Sequence, residues 1–176
     1  MSDMSSSTSE NRRLKVFLCH ASGDKIAVQA LYERLSRDKV EPWLDKEDLI
    51  AGQDWETEIR KAVRESDAVL VCLSSGFNQA GFRQKEVRFA LDVADEQLEG
   101  TIFVIPVKLE ECEVPERLSR WHWVDLFEER GYGRLLQVLV ARAQYLGIAV
   151  PGEAEEEVTF PSDTPDIDAP AVVEAQ

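Results

Sequence analysis

The feature that most constrains this chain is the run Asp67-Ala-Val-Leu-Val-Cys-Leu-Ser74, apolar at every position between its two polar ends. A short apolar run without alternation reads as a strand covered on both faces, and such strands belong to parallel sheets with helices on either side. Residues 15–20 and 101–109 have the same character. Between these runs the period changes to that of amphipathic helices. Ala27, Leu31 and Leu35, with Val28 and Tyr32 beside them, predict a helix over 25–37. Trp55, Ile59, Ala62 and Val63 predict a second, with Asp54 as its N-cap. Val87, Ala90, Leu91 and Ala94 predict a third from about residue 82 to 97. Leu136, Leu139, Val140 and Ala143 mark a closing helix over 132–146, stopped by Gly147. Residues 40–45 and 123–126 complete a set of five strands, Pro42 being tolerable near a strand start or edge and Pro106 counting against an uninterrupted ladder. Residues 115–120 form at most a short helix. Strands alternating with helices in this order predict an α/β fold, a five-stranded parallel sheet flanked by helices on both faces.

The length of 176 residues, 44% hydrophobic, supports one domain with its own core. That domain is expected over 13–148, after a Ser-rich disordered lead-in over 1–12 and before an acidic, Pro-rich disordered tail or linker over 149–176. Past Val150 there are eight acids, no Lys or Arg, and four of the seven prolines. The net charge of −14 therefore leaves −6 on residues 1–150. This balance argues against a general grip on nucleic-acid backbones or anionic membranes. The three cysteines, Cys19, Cys72 and Cys112, are far apart and lack metal-ligand spacing, which points to reduced thiols and no metal. There is no signal-peptide pattern and no apolar run near ~18 residues, so the expectation is a cytoplasmic protein.

In a parallel sheet, ligands collect beyond the carboxyl ends of the strands, here residues 19–22, 45–52 and 74–82. Neither GxGxxG after Phe17 nor a Walker loop is present, so hydride transfer and NTP hydrolysis both lack their phosphate cradle. Cys19 and His20 are adjacent in a strand and point to opposite faces, which prevents a nucleophile–base pair. The acids Asp45, Glu47 and Asp48 hint at a Mg²⁺ or phospho-acceptor pocket. Such a pocket needs a second acidic pair after the first strand, where His20 and Ala21 stand, and the cluster reads as a solvated loop face.

Taken together, Val16-Phe-Leu-Cys-His-Ala21, Trp43-Leu-Asp45, Leu49-Ile-Ala-Gly-Gln-Asp-Trp55, Ser66-Asp-Ala-Val-Leu-Val71 with Leu73-Ser74, and Trp121-His-Trp-Val-Asp125 resemble a Toll/interleukin-1 receptor (TIR) domain of the bacterial type over about residues 13–146. The resemblance implies a flavodoxin-like sheet and one of two functions. Some members are adaptors that act by TIR–TIR contact, including effectors that interfere with host signalling. Others hydrolyse NAD+ at the nicotinamide N-glycosidic bond, giving nicotinamide and ADP-ribose or a cyclic product, in bacterial defence or signalling. The enzymes use a Glu near the start of the helix after the third strand, with an aromatic four residues before it. Phe82-Arg-Gln-Lys-Glu86 fits that pattern, with Phe where Trp is frequent, and makes Glu86 the implied catalytic residue. His20, Ala21, Ser22, Ile50, Gly52, Trp55 and Phe82 are the implied substrate-binding residues. The Arg sometimes found beside Ala21 is missing, which leaves backbone N–H groups and the Ser22 hydroxyl to hold the dinucleotide. NAD+ enters as substrate, with no cofactor or metal; self-association and a sensor partner are implied too.

The chemistry explains why one carboxylate suffices. Nicotinamide is bound as a cationic pyridinium and leaves neutral, so no acid need protonate it, unlike the leaving group of an ordinary glycoside. Positive charge develops on the ribose, and a carboxylate held there stabilises it. A Glu in a first helical turn also complements the helix dipole without any catalytic role. Phe82 serves equally as core, and Trp55 as packing.

Overall fold

The computed structural model describes residues 12–44, 51–77 and 84–152, with the side chains of 84–86 outside that description. The strands are β1 (Lys15–Cys19), β2 (Glu41–Leu44), β3 (Ala68–Leu73), β4 (Val104–Lys108) and β5 (Val124–Asp125). The helices are α1 (Lys25–Arg37), α2 (Trp55–Glu65), α3 (Gln84–Glu96) and α4 (Gly131–Leu146). All strand pairs are parallel, in the order β2-β1-β3-β4-β5. The five-stranded parallel sheet expected from the alternating pattern is therefore present. Among the described residues no helix is long and apolar enough to cross a membrane.

Strand alternation sorts the core into two layers. Val16, Leu18, Leu70, Cys72, Ile105 and Val107 face one side and pack with α1 and α4 through Val28, Leu31, Leu35, Leu135 and Leu139. Phe17, Cys19, Val69, Val71 and Leu73 face the other side and meet Ile59 and Val63 of α2 and Val87, Ala90 and Val93 of α3. β3 is buried at all six positions, as its composition requires.

Local chemistry sets the element ends. Asp54 caps α2, its carboxylate accepting from the Glu56 N–H at 3.2 Å and the Thr57 hydroxyl at 2.9 Å. Gly147 ends α4 at φ 67°, a left-handed conformation that suits glycine. β2 stops at Leu44, and Trp43 is half-buried, stacked on Phe17 with ring centroids 5.0 Å apart.

Four expectations are corrected. The apolar run over 101–109 becomes a strand only from Val104, because Thr101 still belongs to a turn, its N–H donating to the Leu98 carbonyl at 3.1 Å. Pro106 does not break this strand. Leu109 donates to Leu73 on β3 while Lys108 accepts from Leu126 on the β5 side, so even-numbered residues face β5. β5 begins only opposite Val107, and the donor that Pro106 lacks would have pointed beyond its start. In α4 the buried stripe is Leu135, Leu139, Arg142 and Ala143, with Leu136 and Val140 only half-buried. In α1, Val28 rather than Ala27 is buried alongside Leu31 and Leu35.

Candidate functional site at the β1–β3 edge

The chain leaves β1 for α1 on one face of the sheet and β3 for α3 on the other. β1 and β3 are neighbours, with Cys19 opposite Val71, so their carboxyl ends form the topological switch point where a ligand is expected.

His20, Ala21 and Ser22 follow β1 as one tight turn. The Ala21 carbonyl accepts the Asp24 N–H at 2.9 Å and lies 2.8 Å from Nδ1 of His20. Ala21 is buried, His20 half-buried, and Ser22, which opens a single 3-10 turn, is exposed. Trp55, the first residue of α2, packs half-buried against the apolar cluster that contains Cys19, Ala21 and Val87. Gly52 lies in the exposed turn before α2 at φ 94°, where a side chain would be strained. Glu86 is the third residue of α3, immediately before fully buried Val87. Ile50 and Phe82 lie outside the described residues, as do Asp45, Glu47 and Asp48. Of these positions, Ala21 belongs to one apolar cluster with Val87, the neighbour of Glu86, and Trp55 packs against that cluster.

Sequence reasoning missed a set of polar ties across the same edge. Ser74 continues β3 on the side of Leu70 and Cys72, towards α1, and its hydroxyl donates to the Asp24 carboxylate. Asp24 stands where a helix cap is expected yet makes no side-chain cap bond to α1. Ser75 donates from its N–H at 2.8 Å and its hydroxyl at 2.7 Å to Oε1 of Glu110, which follows β4. These two bonds hold the Glu110 carboxyl below its ordinary value. The only hint in the sequence was the presence of polar residues directly after apolar strands. Their pairing partners lie 50 and 35 residues away.

Electrostatics also excludes a cysteine nucleophile beside Ser74. The Cys72 thiol is pushed up to about 12, first by complete burial and then by the neighbouring Asp24 carboxylate. It stays protonated at neutral pH.

The class these features define is a doubly wound α/β domain with its polar groups collected at the β1–β3 switch point. A family model for the TIR domain matches residues 16–136, and the chain belongs to the TIR domain family. Among solved structures it is similar to the TIR domain of the Toll-related receptor TRR-2 from Hydra magnipapillata, at 20% identity and a TM-score of 0.59, covering 69% of this chain and 94% of that one. It is also similar to a prokaryotic SEFIR domain, at 19% identity and a TM-score of 0.56, covering 71% of this chain and 91% of that one. At these identities the likeness shows the fold. No curated protein matches the chain.

Proposed function

We propose that this TIR domain is an NAD+ hydrolase of the bacterial type, cleaving the nicotinamide N-glycosidic bond with Glu86 as the catalytic residue, in defence or signalling. The observation that carries the reading is the position of Glu86. It is the third residue of α3, the helix that leaves the carboxyl end of β3 beside the turn His20 to Ser22. A carboxylate there meets the single demand of the reaction, stabilising positive charge on the ribose as nicotinamide leaves neutral. Ser22 and the turn's backbone would hold the dinucleotide, with Trp55, Gly52, Ile50 and Phe82 completing the cleft and His20 lining it. NAD+ is the substrate, and no cofactor or metal is needed.

The domain would work as an assembly, one subunit completing its neighbour's site. Incubating the full chain with NAD+ under forced oligomerisation and following nicotinamide tests the reading. Turnover by wild type, lowered at least ~10²-fold in Glu86→Ala, is the expected outcome. Equal turnover by the two proteins overturns the assignment.

A second reading, a non-catalytic module acting by TIR–TIR contact, draws on the exposed aromatics Trp123 and Phe127 at the β5 end of the sheet. A wild-type chain that is inert towards NAD+ while binding a second TIR domain would favour it.

A further inference from the structure

The β5 end of the sheet carries a groove of about 700 Å³ that the proposed activity does not use. Its floor is β4 at Val104 and Ile105, one wall is Trp121 to Val124, and the other is α4 at Arg134, Val138 and Ala141. Ile102 and Trp123, both exposed, stand on its rim. β5 pairs with β4 only at Val107 and Lys108, so the backbone of Val104, directed to that side, faces the groove with no β5 residue opposite it. An open strand edge set among apolar side chains is a site for adding a strand.

Two observations identify the strand. The first is charge. Among the described residues no Asp or Glu lines the groove, although the whole chain carries a net charge of −14; its ionisable lining residues are Arg134 and His122. Lys108 lies over the Trp123 ring at 4.9 Å, and Arg134 reaches Glu128 at 3.4 Å on the exposed side. The complementary sequence within this chain is Glu155-Glu-Glu-Val-Thr-Phe160, three acids followed by a β-prone triplet with apolar Val158 and Phe160, and then Pro161. The second is reach. Gly152 donates its N–H to the Asp38 carbonyl at 2.9 Å and lies against Leu136, where an added Cβ would be 3.1 Å from Cδ2. Leu136 is on the side of α4 away from Val138 and Ala141, so the path from Gly152 to the groove is half the circumference of one helix, about 17 Å. Residues 153–157, extended, span about 17 Å. Val158 then arrives at the groove.

We propose that residues 155–160 of this chain dock in cis on the open edge of β4. Val158 and Phe160 enter between Trp123 and α4, and the three glutamates lie towards Arg134. This docking does not rest on the proposed NAD+ chemistry.

Hydrogen exchange on the full 176-residue chain tests the proposal, read at the amides of Ile102 and Val104 over a ~100-fold range of protein concentration. Wild type is compared with Phe160→Asp and with the triple change Glu155→Lys, Glu156→Lys and Glu157→Lys. A cooperative thermal unfolding transition in each variant verifies that the domain is folded. The expected result is exchange at least ~10-fold slower in wild type than in either variant, at every concentration. Equal exchange in wild type and Phe160→Asp overturns the proposal. So does protection that fades on dilution, which would identify a second copy as the occupant.

Discussion

Asp67, buried at the head of β3, shows how much one side chain organises. Its carboxylate accepts two bonds from the Arg12 guanidinium, at 2.7 and 2.9 Å, and one from the Lys15 N–H at 2.8 Å. Its carbonyl accepts Nε of buried Arg142 at 2.8 Å. Burial lowers the pKa of Arg142, while the bond to Asp67 raises that of Arg12. Removing the central carboxylate orphans donors on both sides, so Asp67→Ala should cost about 2–3 kcal/mol, read as a lower denaturation midpoint with unchanged slope. Arg12→Ala, at the half-exposed end of the pair, should cost about 1 kcal/mol or less. Glu110 gives a pH signature. Its folded pKa lies below the ordinary 4.5, so its tie to Ser75 contributes above that value and is lost as pH falls through the folded pKa. In Ser75→Ala the carboxyl loses the hydroxyl and keeps the N–H, and an NMR titration should find its midpoint moved part of the way back towards 4.5.

At the level of elements, the buried face of α4 was only partly legible. Leu135, Leu136, Val138, Leu139 and Val140 give apolar candidates on several sides of the helix, and periodicity cannot choose its phase. Long-range contacts choose it. Gly131 lies so close to the exit of β5 that a Cβ there would meet the Asp125 carbonyl oxygen at 2.2 Å and backbone of Leu126 at 2.7 Å. Arg142 is drawn inward by the Asp67 carbonyl, leaving Leu136 to be covered in part by Gly152. Two glycines of one helix should therefore respond oppositely. Gly131→Ala forces the helix away from β5 and should destabilise by about 1–3 kcal/mol. Gly133→Ala, pointing into open space, should stabilise by up to ~1 kcal/mol through helix propensity. Thermal or urea unfolding of the two variants measures both. By contrast β1 and β3 were legible almost to the residue, because a strand covered on both faces is an unbroken apolar run, here residues 16–19 and 68–73. Of the candidate site, residues 20–22 and Trp55 were legible as strand-end and helix-start positions. The ties from Ser74 to Asp24 and Ser75 to Glu110 were not, since hydrogen bonds between distant polar residues leave no periodic trace.

Across the whole molecule, the packed domain and the acidic extension divide the labour. β1 and β3 pair in parallel with Cys19 opposite Val71, and α3 packs through Val87 on the layer that contains Cys19. The tail, carrying eight acids and no Lys or Arg past Val150, supplies the charge that the groove beside β4 lacks. On the proposed reading, catalysis falls at the carboxyl ends of β1 and β3 and docking along the open side of β4. Changes in the tail should alter access to the groove without altering the chemistry of an assembled site. The most direct test of the central claim is the rate of nicotinamide release at saturating NAD+ by the full chain held in an assembly, comparing wild type with Glu86→Gln. The substitution keeps the shape of the side chain and removes its charge. The account expects kcat to fall by at least ~10², with thermal stability changed little. A Glu86→Gln protein that releases nicotinamide at the wild-type rate would contradict it.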